Sequence, residues 1–88
     1  MTRRLVTVVG RVQGVGFRWF VKELADSMRL AGWVRNREDG SVELEVEGST
    51  DLLDEFVRHL RTGNLSATVT EIVAVPAAPK GGKGFQIR

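Results

Sequence analysis

The chain contains no cysteine, and this absence removes several kinds of chemistry at once. Without thiols there are no disulfides, no zinc sites built on thiolates and no cysteine nucleophile. Proteins kept in a reducing compartment commonly have this composition, so we expect a cytoplasmic location.

Long apolar runs are also missing. Two arginines lie within residues 1–4, but Gly10 and Arg11 soon interrupt the apolar segment that follows, so it is too short for the core of a signal peptide. No other stretch is long enough to cross a membrane. The sequence therefore predicts no membrane partner.

Neither sign of charge is in large excess. Thirteen Lys and Arg residues against 11 Asp and Glu residues leave a formal net charge of +2. A protein that binds nucleic acid through a basic surface is expected to carry a clustered excess of positive charge. Charge alone therefore predicts no nucleic-acid partner.

The hydrophobic pattern predicts one domain over residues 1–88. Its 42% hydrophobic content is enough for a single core, and neither a linker nor an internal repeat is visible. Residues 5–9 are almost wholly apolar and predict a central strand buried on both faces. The predicted strands are residues 5–9, 32–37, 41–47, 67–75 and 85–88, with an Asp39-Gly40 hairpin turn between the second and the third.

Two amphipathic helices are predicted by the spacing of apolar residues. The first has a buried stripe of Phe17, Phe20, Val21, Leu24 and Met28. The second begins near Ser49, Thr50 and Asp51, all possible N-caps, and ends near Gly63. Its predicted buried stripe is Leu52, Leu53, Phe56 and Leu60. The order βαββαβ with a short fifth edge strand predicts a ferredoxin-like α+β sandwich, an antiparallel sheet with two helices on one face.

The loop from Gly10 to Arg18 joins the first strand to the first helix and holds three glycines and two arginines. Glycine tolerates positive φ, so successive N–H groups can turn inward, and the helix that follows adds its unpaired N–H groups and positive dipole end. Arg18 lies in the first helical turn, where a cation is unfavourable unless an anion binds beside it. Its planar guanidinium suits two phosphate oxygens. The loop therefore predicts a phosphate site, although it lacks the Lys-Thr ending of a nucleotide-binding loop.

Asn36 is predicted to lie beside this loop. In a split βαβ unit the first two strands run parallel with the third between them, so their carboxyl ends meet at one edge of the sheet. Two strand spacings are roughly 10 Å, which a side chain and a ligand can bridge. Asn36 also shares a face with Val34, so a polar group is expected near it.

At these residues the chain resembles the small acylphosphatases. The resemblance rests on G-R-V-Q-G-V-G-F-R at Gly10–Arg18, G-W-V-R-N at Gly32–Asn36 and D-G-S-V-E at Asp39–Glu43, and it covers essentially the whole chain to Phe85–Arg88. It implies hydrolysis of the carboxyl-phosphate bond of a small acyl phosphate, without a metal or a cofactor, and a chain that acts as a monomer.

The resemblance also implies roles for individual residues. Arg18 would be the phosphate-binding arginine, and Asn36 would position the attacking water. The rest of the phosphate-binding loop would be Arg11, Val12, Gln13, Gly14, Val15, Gly16 and Phe17. Phosphate or sulfate would be able to occupy it.

Other charged and aromatic residues have plainer interpretations. His59 is expected on the solvated face of the second helix, and Glu43, Glu45 and Glu47 on the wet face of the third strand. Arg11, Arg35 and Arg37 either attract an anionic substrate or are ordinary surface charge. Trp19 and Trp33 either frame the pocket or pack at its rim.

Two further classes of function stay open at this point. RNA-recognition modules share this fold, but residues 5–9 and 42–46 contain no aromatic residue on which a base could stack. The other class is a phosphate-sensing or regulatory domain, or the acylphosphatase-like module that opens larger carbamoyl-phosphate-processing maturation proteins. A chain that stops at Arg88 without zinc-finger cysteines is expected to fit that class less well.

Overall fold

The computed structural model describes residues 1–88 as a five-stranded sheet with two helices packed on one face. The elements are β1 (Thr2–Arg11), α1 (Phe17–Ser27), β2 (Ala31–Asn36), β3 (Val42–Gly48), α2 (Thr50–Thr62), β4 (Thr68–Ala77) and β5 (Phe85–Ile87). The predicted ferredoxin-like α+β sandwich is confirmed, with element ends shifted by a few residues.

The strands are ordered β4-β1-β3-β2-β5, so β3 lies between β1 and β2 as the topology predicted. β1 pairs antiparallel with β3 and β4, and β2 pairs antiparallel with β3. β5 is different, because it pairs parallel with β2. The prediction of a wholly antiparallel sheet is therefore wrong at this edge. β4 runs antiparallel to β2, and the chain reverses direction as it crosses from β4 to β5.

The core lies between the sheet and the helices, and β1 contributes one face to it. Val6 and Val8 are fully buried under the helices, whereas Val9 points to the other face and is 37% exposed. The prediction that this strand is buried on both faces is wrong, because both helices pack on the same side of the sheet. The largest fully buried side chains are Phe17, Phe56, Leu44, Leu53 and Leu60.

The predicted N-cap of α2 agrees with the structure, but its predicted buried stripe agrees only in part. Ser49 is its N-cap and accepts a hydrogen bond of 3.3 Å from the Leu52 N–H. Leu53, Phe56 and Leu60 are buried, but Leu52 is 37% exposed, so its place in the predicted stripe is wrong. A step of one residue rotates a side chain by about 100° around the helix, which turns Leu52 away from the sheet.

The glutamates of β3 face away from the helices, yet two of them are buried. Glu43 is 8% exposed and Glu47 is 3% exposed, so the prediction of a wet strand face is wrong. Cationic side chains cover this face: Arg35 and Arg37 pair with Glu43 at 2.6 and 3.4 Å. The open face of the sheet is thus an ion-pair layer.

A buried arginine and the β4–β5 connection complete this layer. Arg3 forms ion pairs with Glu45 and Glu47, and Glu47 also accepts the N–H groups of Lys80 and Gly81 at 2.7 and 2.9 Å. The Arg3 hydrogen bond lowers the pKa of Glu45, and the Lys80 N–H bond lowers the pKa of Glu47. Burial alone would lower the pKa of Arg3, but the hydrogen bonds to both glutamates outweigh it and raise that pKa.

Candidate active site

A pocket of about 160 Å³ lies where the β1–α1 loop meets the end of β2. Arg18 and Asn36 both line it, although they come from α1 and β2. The structure therefore brings together the two residues that the sequence placed at one sheet edge. The full lining is Val12, Gly14, Gly16, Phe17, Arg18, Trp19, Asn36 and Ile87.

The loop has a backbone that only its glycines adopt easily. Gly14 and Gly16 have φ values of 72° and 76°, in the left-handed region. The N–H groups of residues 12–16 have no acceptor within the protein, and the first helical bond of α1 runs from the Phe20 N–H to the Gly16 carbonyl at 3.1 Å. A run of unpaired N–H groups between left-handed glycines is a typical anion-binding concavity.

The two helices differ at their N-termini, and the difference favours an anion at α1. α2 carries a serine cap and Asp51 in its first turn, so its own side chains satisfy the positive end of the dipole. The N-cap of α1 is Gly16, which offers no side-chain acceptor, and its first turn contains no acidic residue. Arg18 instead adds a positive charge there. The N-terminus of α1 therefore lacks the negatively charged or polar partner that α2 supplies from its own side chains.

The end of the sheet helps to hold Arg18. Its Nη1 donates a hydrogen bond of 3.3 Å to the Arg88 carbonyl. The Arg88 N–H in turn donates to the Val34 carbonyl at 2.8 Å, and its guanidinium lies 4.6 Å from the ring centre of Trp33. Trp33 is 9% exposed beneath it, so this tryptophan packs rather than lines the pocket.

Trp19 is the aromatic residue that lines the pocket. It follows Arg18 in α1, and 60% of its surface is exposed. Of the two interpretations given to the tryptophans, the structure favours framing for Trp19 and packing for Trp33.

Asn36 is the last residue of β2, exposed at the mouth of the pocket. Its backbone is fixed by pairing with Val42 across the sheet. No protein group hydrogen-bonds its side-chain amide, so both the oxygen and the NH₂ group are free to meet a ligand or water.

The loop is tied to the rest of the protein by two side-chain amides. Gln13 Nε2 donates to the carbonyls of Arg37 and Ser41 at 2.6 and 2.9 Å, which joins the loop to the β2–β3 connection. Asn64 Nδ2 donates to the Val15 carbonyl at 2.8 Å from the α2–β4 connection. Sequence reasoning missed Asn64, because its only local signal was that of a turn residue after Gly63.

The other predicted residues lie outside the pocket. Arg11, Gln13 and Val15 belong to the loop but do not line the pocket. His59 lies on α2, with its Nε2 3.8 Å from a Glu55 carboxylate oxygen, and is exposed as predicted.

The fold contains neither a cluster of metal-ligating side chains nor a helix that could span a membrane. No group of three or more His, Cys, Asp or Glu side chains is arranged to hold a metal ion. Neither helix has the length and apolar character needed to cross a membrane.

Fold and site define a small α+β sandwich with a glycine-rich loop of unpaired N–H groups between its first strand and first helix. A sequence model of the acylphosphatase family matches residues 5–87, and relatives agree with it over most of the chain. The chain belongs to the acylphosphatase family and is an enzyme of that kind.

Individual relatives span most of the chain. The acylphosphatase of Bacillus subtilis is 49% identical over 72 residues, which are 82% of this chain and 79% of that protein. The acylphosphatase of Trichormus variabilis is 42% identical over 83 residues, which are 94% of this chain and 82% of that protein.

Solved structures give the same result. The crystal structure of acylphosphatase from Bacillus subtilis matches with a TM-score of 0.97 and 43% identity, covering 100% of this chain and 99% of that chain. Full-length HypF, crystallised in a phosphate- and nucleotide-bound form, matches with a TM-score of 0.85 and 31% identity. That match covers 99% of this chain but 12% of HypF, so the same fold also occurs as one part of a larger chain.

Proposed function

We propose that the protein hydrolyses acyl phosphates to a carboxylate and inorganic phosphate without a metal ion. In this proposal the β1–α1 loop and Arg18 bind the phosphoryl group, and Asn36 positions the attacking water. The observation that carries it is the meeting of Arg18, Asn36 and a run of unpaired N–H groups in one pocket.

Binding of the phosphoryl group uses charges that the fold leaves unpaired. The loop N–H groups and the uncapped start of α1 attract an anion, and the Arg18 guanidinium supplies a full positive charge with a planar pair of donors. A bound dianion also removes the unfavourable interaction between Arg18 and the dipole of its own helix.

The chemical step needs positioning more than proton transfer. Water attacks phosphorus, the bond from phosphorus to the acyl oxygen breaks, and the carboxylate leaves with the bonding pair. Its conjugate acid has a pKa near 4, so the leaving group requires no proton from the enzyme. One proton of the water passes to a phosphate oxygen. Asn36 would hold the water in line while the loop stabilises charge on the phosphoryl oxygens.

This scheme assigns no proton-transfer role to His59 or to a carboxylate. His59 lies on α2 next to Glu55, outside the pocket. The glutamates of β3 lie on the opposite face of the sheet, engaged by arginines. Replacing His59 is therefore expected to leave the rate nearly unchanged.

We further propose that residues 1–88 act as one domain, as a monomer in the cytoplasm, and that phosphate or sulfate can occupy the loop. The absence of cysteine supports the cytoplasmic location, because that compartment is reducing and its proteins rarely carry disulfides. The small net charge of +2 supports the absence of a nucleic-acid partner, because it provides no clustered excess of positive charge. Gel filtration at micromolar concentration tests the monomer.

Steady-state hydrolysis of benzoyl phosphate in the presence of EDTA tests the activity and its catalytic residues. We expect Arg18→Ala and Asn36→Ala each to lower kcat/KM by about a hundredfold or more, the size of effect that loss of one transition-state donor produces. Arg58→Ala is the matched control, since Arg58 is exposed on α2 and forms no ion pair.

Three results would contradict the proposal. Unchanged activity in either the Arg18 or the Asn36 variant would remove that residue from the site. Complete loss of wild-type activity with EDTA would show that the reaction needs a metal. Circular dichroism of each variant confirms that a loss of activity is not a loss of fold.

A further inference from the structure

Asn64 connects two parts of the fold that are far apart in sequence. It lies between α2 and β4, and its Nδ2 donates a hydrogen bond of 2.8 Å to the Val15 carbonyl in the β1–α1 loop. Its Oδ1 accepts a hydrogen bond of 3.2 Å from the Ser66 N–H. Each end of the amide has its own partner, so the orientation of the side chain is fixed by both contacts.

The bond to Val15 determines where the next N–H group points. The Val15 carbonyl and the Gly16 N–H belong to one planar trans peptide group, in which the two bonds point in opposite directions. Asn64 holds the carbonyl on its own side of the loop, so the Gly16 N–H points to the other side. Gly16 lines the pocket with Arg18 and Asn36, and its N–H has no acceptor within the protein.

The loop needs such an external contact because its own residues do not fix this peptide. Gly14 and Gly16 both lie in the left-handed region. For glycine this is only one of several conformations of similar energy. No side chain caps α1, so no side-chain hydrogen bond fixes the start of the helix either. The Asn64 amide is the side chain that grips the Val15–Gly16 peptide.

We infer that Asn64 is a positioning residue for phosphate binding. It holds the Val15–Gly16 peptide so that the Gly16 N–H is already directed at the phosphoryl group before the substrate arrives. This inference rests on the proposed function of the loop. Asn64 itself does not line the pocket, so it acts through Gly16 rather than by touching the substrate.

Competitive inhibition by inorganic phosphate tests the inference, because it measures binding at the loop apart from the chemical step. We expect Asn64→Ala and Asn64→Asp each to raise the phosphate inhibition constant about tenfold, less than the hundredfold or more caused by complete loss of a donor. Asn64→Asp keeps the size of the side chain and the acceptor for Ser66, but it replaces the donor to Val15. The Gly16 amide signal in a ¹⁵N NMR titration with phosphate should shift less in both variants than in the wild type.

Ser66→Asp is the matched control for charge. It adds a carboxylate next to Asn64 but leaves the Asn64 amide and the Ser66 backbone in place. We expect it to change the phosphate inhibition constant by less than about twofold, as is usual for a distant charge in water. An effect of Ser66→Asp as large as that of Asn64→Asp, together with no effect of Asn64→Ala, would overturn the inference.

Arg18→Ala, measured in the same assay, separates the two proposals. If Arg18→Ala weakens phosphate inhibition and folded Asn64→Ala does not, the positioning role of Asn64 is wrong and the proposed site stands. If Arg18→Ala also leaves phosphate inhibition unchanged, the proposed phosphate site is wrong, and the inference fails with it. A lower Tm for Asn64→Ala with an unchanged phosphate inhibition constant assigns Asn64 to stability alone and overturns the inference.

Discussion

The Gln13 side chain donates a hydrogen bond of 2.6 Å to the carbonyl of Arg37, the residue that follows Asn36. The same Nε2 donates to the Ser41 carbonyl, so one amide joins the β1–α1 loop to both sides of the β2–β3 connection. The distance between the loop and Asn36 thus depends on a residue whose side chain lies outside the pocket.

We expect Gln13→Ala to lower kcat/KM about ten- to a hundredfold, since a displacement of about 1 Å between reacting groups can cost that much. The loss should fall more on kcat than on inhibition by phosphate, because the contact positions Asn36 relative to the loop. Steady-state kinetics with benzoyl phosphate and phosphate inhibition measure both effects.

Gln86→Ala is the matched control for this variant. Gln86 is the other glutamine of the chain, lies exposed on β5, and should tolerate the change with less than a twofold effect. Equal kinetics for the two variants would show that the Gln13 contact has no part in positioning Asn36.

Acid should weaken the fold through the glutamates of β3. The Lys80 N–H bond lowers the pKa of Glu47, and the Arg3 hydrogen bond lowers the pKa of Glu45. A carboxyl group whose pKa is lower in the folded chain than in the unfolded chain stabilises the fold above the unfolded pKa, and this contribution disappears as the pH falls through the folded pKa. We expect the free energy of unfolding to be nearly constant around neutral pH and to fall below about pH 4.

Urea unfolding at a series of pH values measures this dependence. Glu47→Gln should be less stable than the wild type at neutral pH, and the difference should shrink in acid. Glu23→Gln is the control, because Glu23 is exposed on α1 and forms no ion pair. A Glu47→Gln difference that stays constant from neutral to acid pH would contradict the proposed titration.

The N-cap of α2 should contribute to stability but not to activity. Ser49→Ala removes the acceptor for the Leu52 N–H and should lower the free energy of unfolding by about 1 kcal/mol. For a chain of this size that corresponds to a fall in Tm of roughly 4–8 °C. Ser49→Asp keeps an acceptor and should retain most of the stability.

Thermal unfolding and kinetics at a temperature where all variants are folded separate these effects. No residue of α2 lines the candidate pocket, and Asn64, which contacts the β1–α1 loop, follows the opposite end of the helix. Ser49→Ala should therefore keep the wild-type kcat/KM. A loss of activity in the folded variant would show that the two ends of α2 are coupled.

The sequence was most informative where a residue type had a single physical role. Alternation and helical spacing placed the elements, and the parallel relation of β1 and β2 placed Asn36 beside the loop. Gly14 and Gly16 could be assigned to positive φ because other residues adopt that conformation at a cost.

Errors arose where a residue's environment is supplied by distant chain segments. The alternation of Glu43, Glu45 and Glu47 correctly gave their face of the sheet, but the burial of Glu47 depends on Arg3 and on the Lys80–Gly81 backbone. A period-two pattern assigns residues to one face of a sheet, but it does not show which other chain segments cover that face. Asn64 escaped notice for the same reason, because its partner Val15 is 49 residues away.

The position of β5 has a consequence for the time at which the site forms during folding. Its Ile87 lines the pocket, and the adjoining Arg88 holds Arg18, yet its strand partner β2 comes more than fifty residues earlier in the chain. Pairings between segments so far apart close large loops and tend to form slowly. The β2–β3 hairpin can form from local contacts before that closure. Catalytic competence should therefore be acquired only when β5 docks, as one of the last steps on the folding pathway.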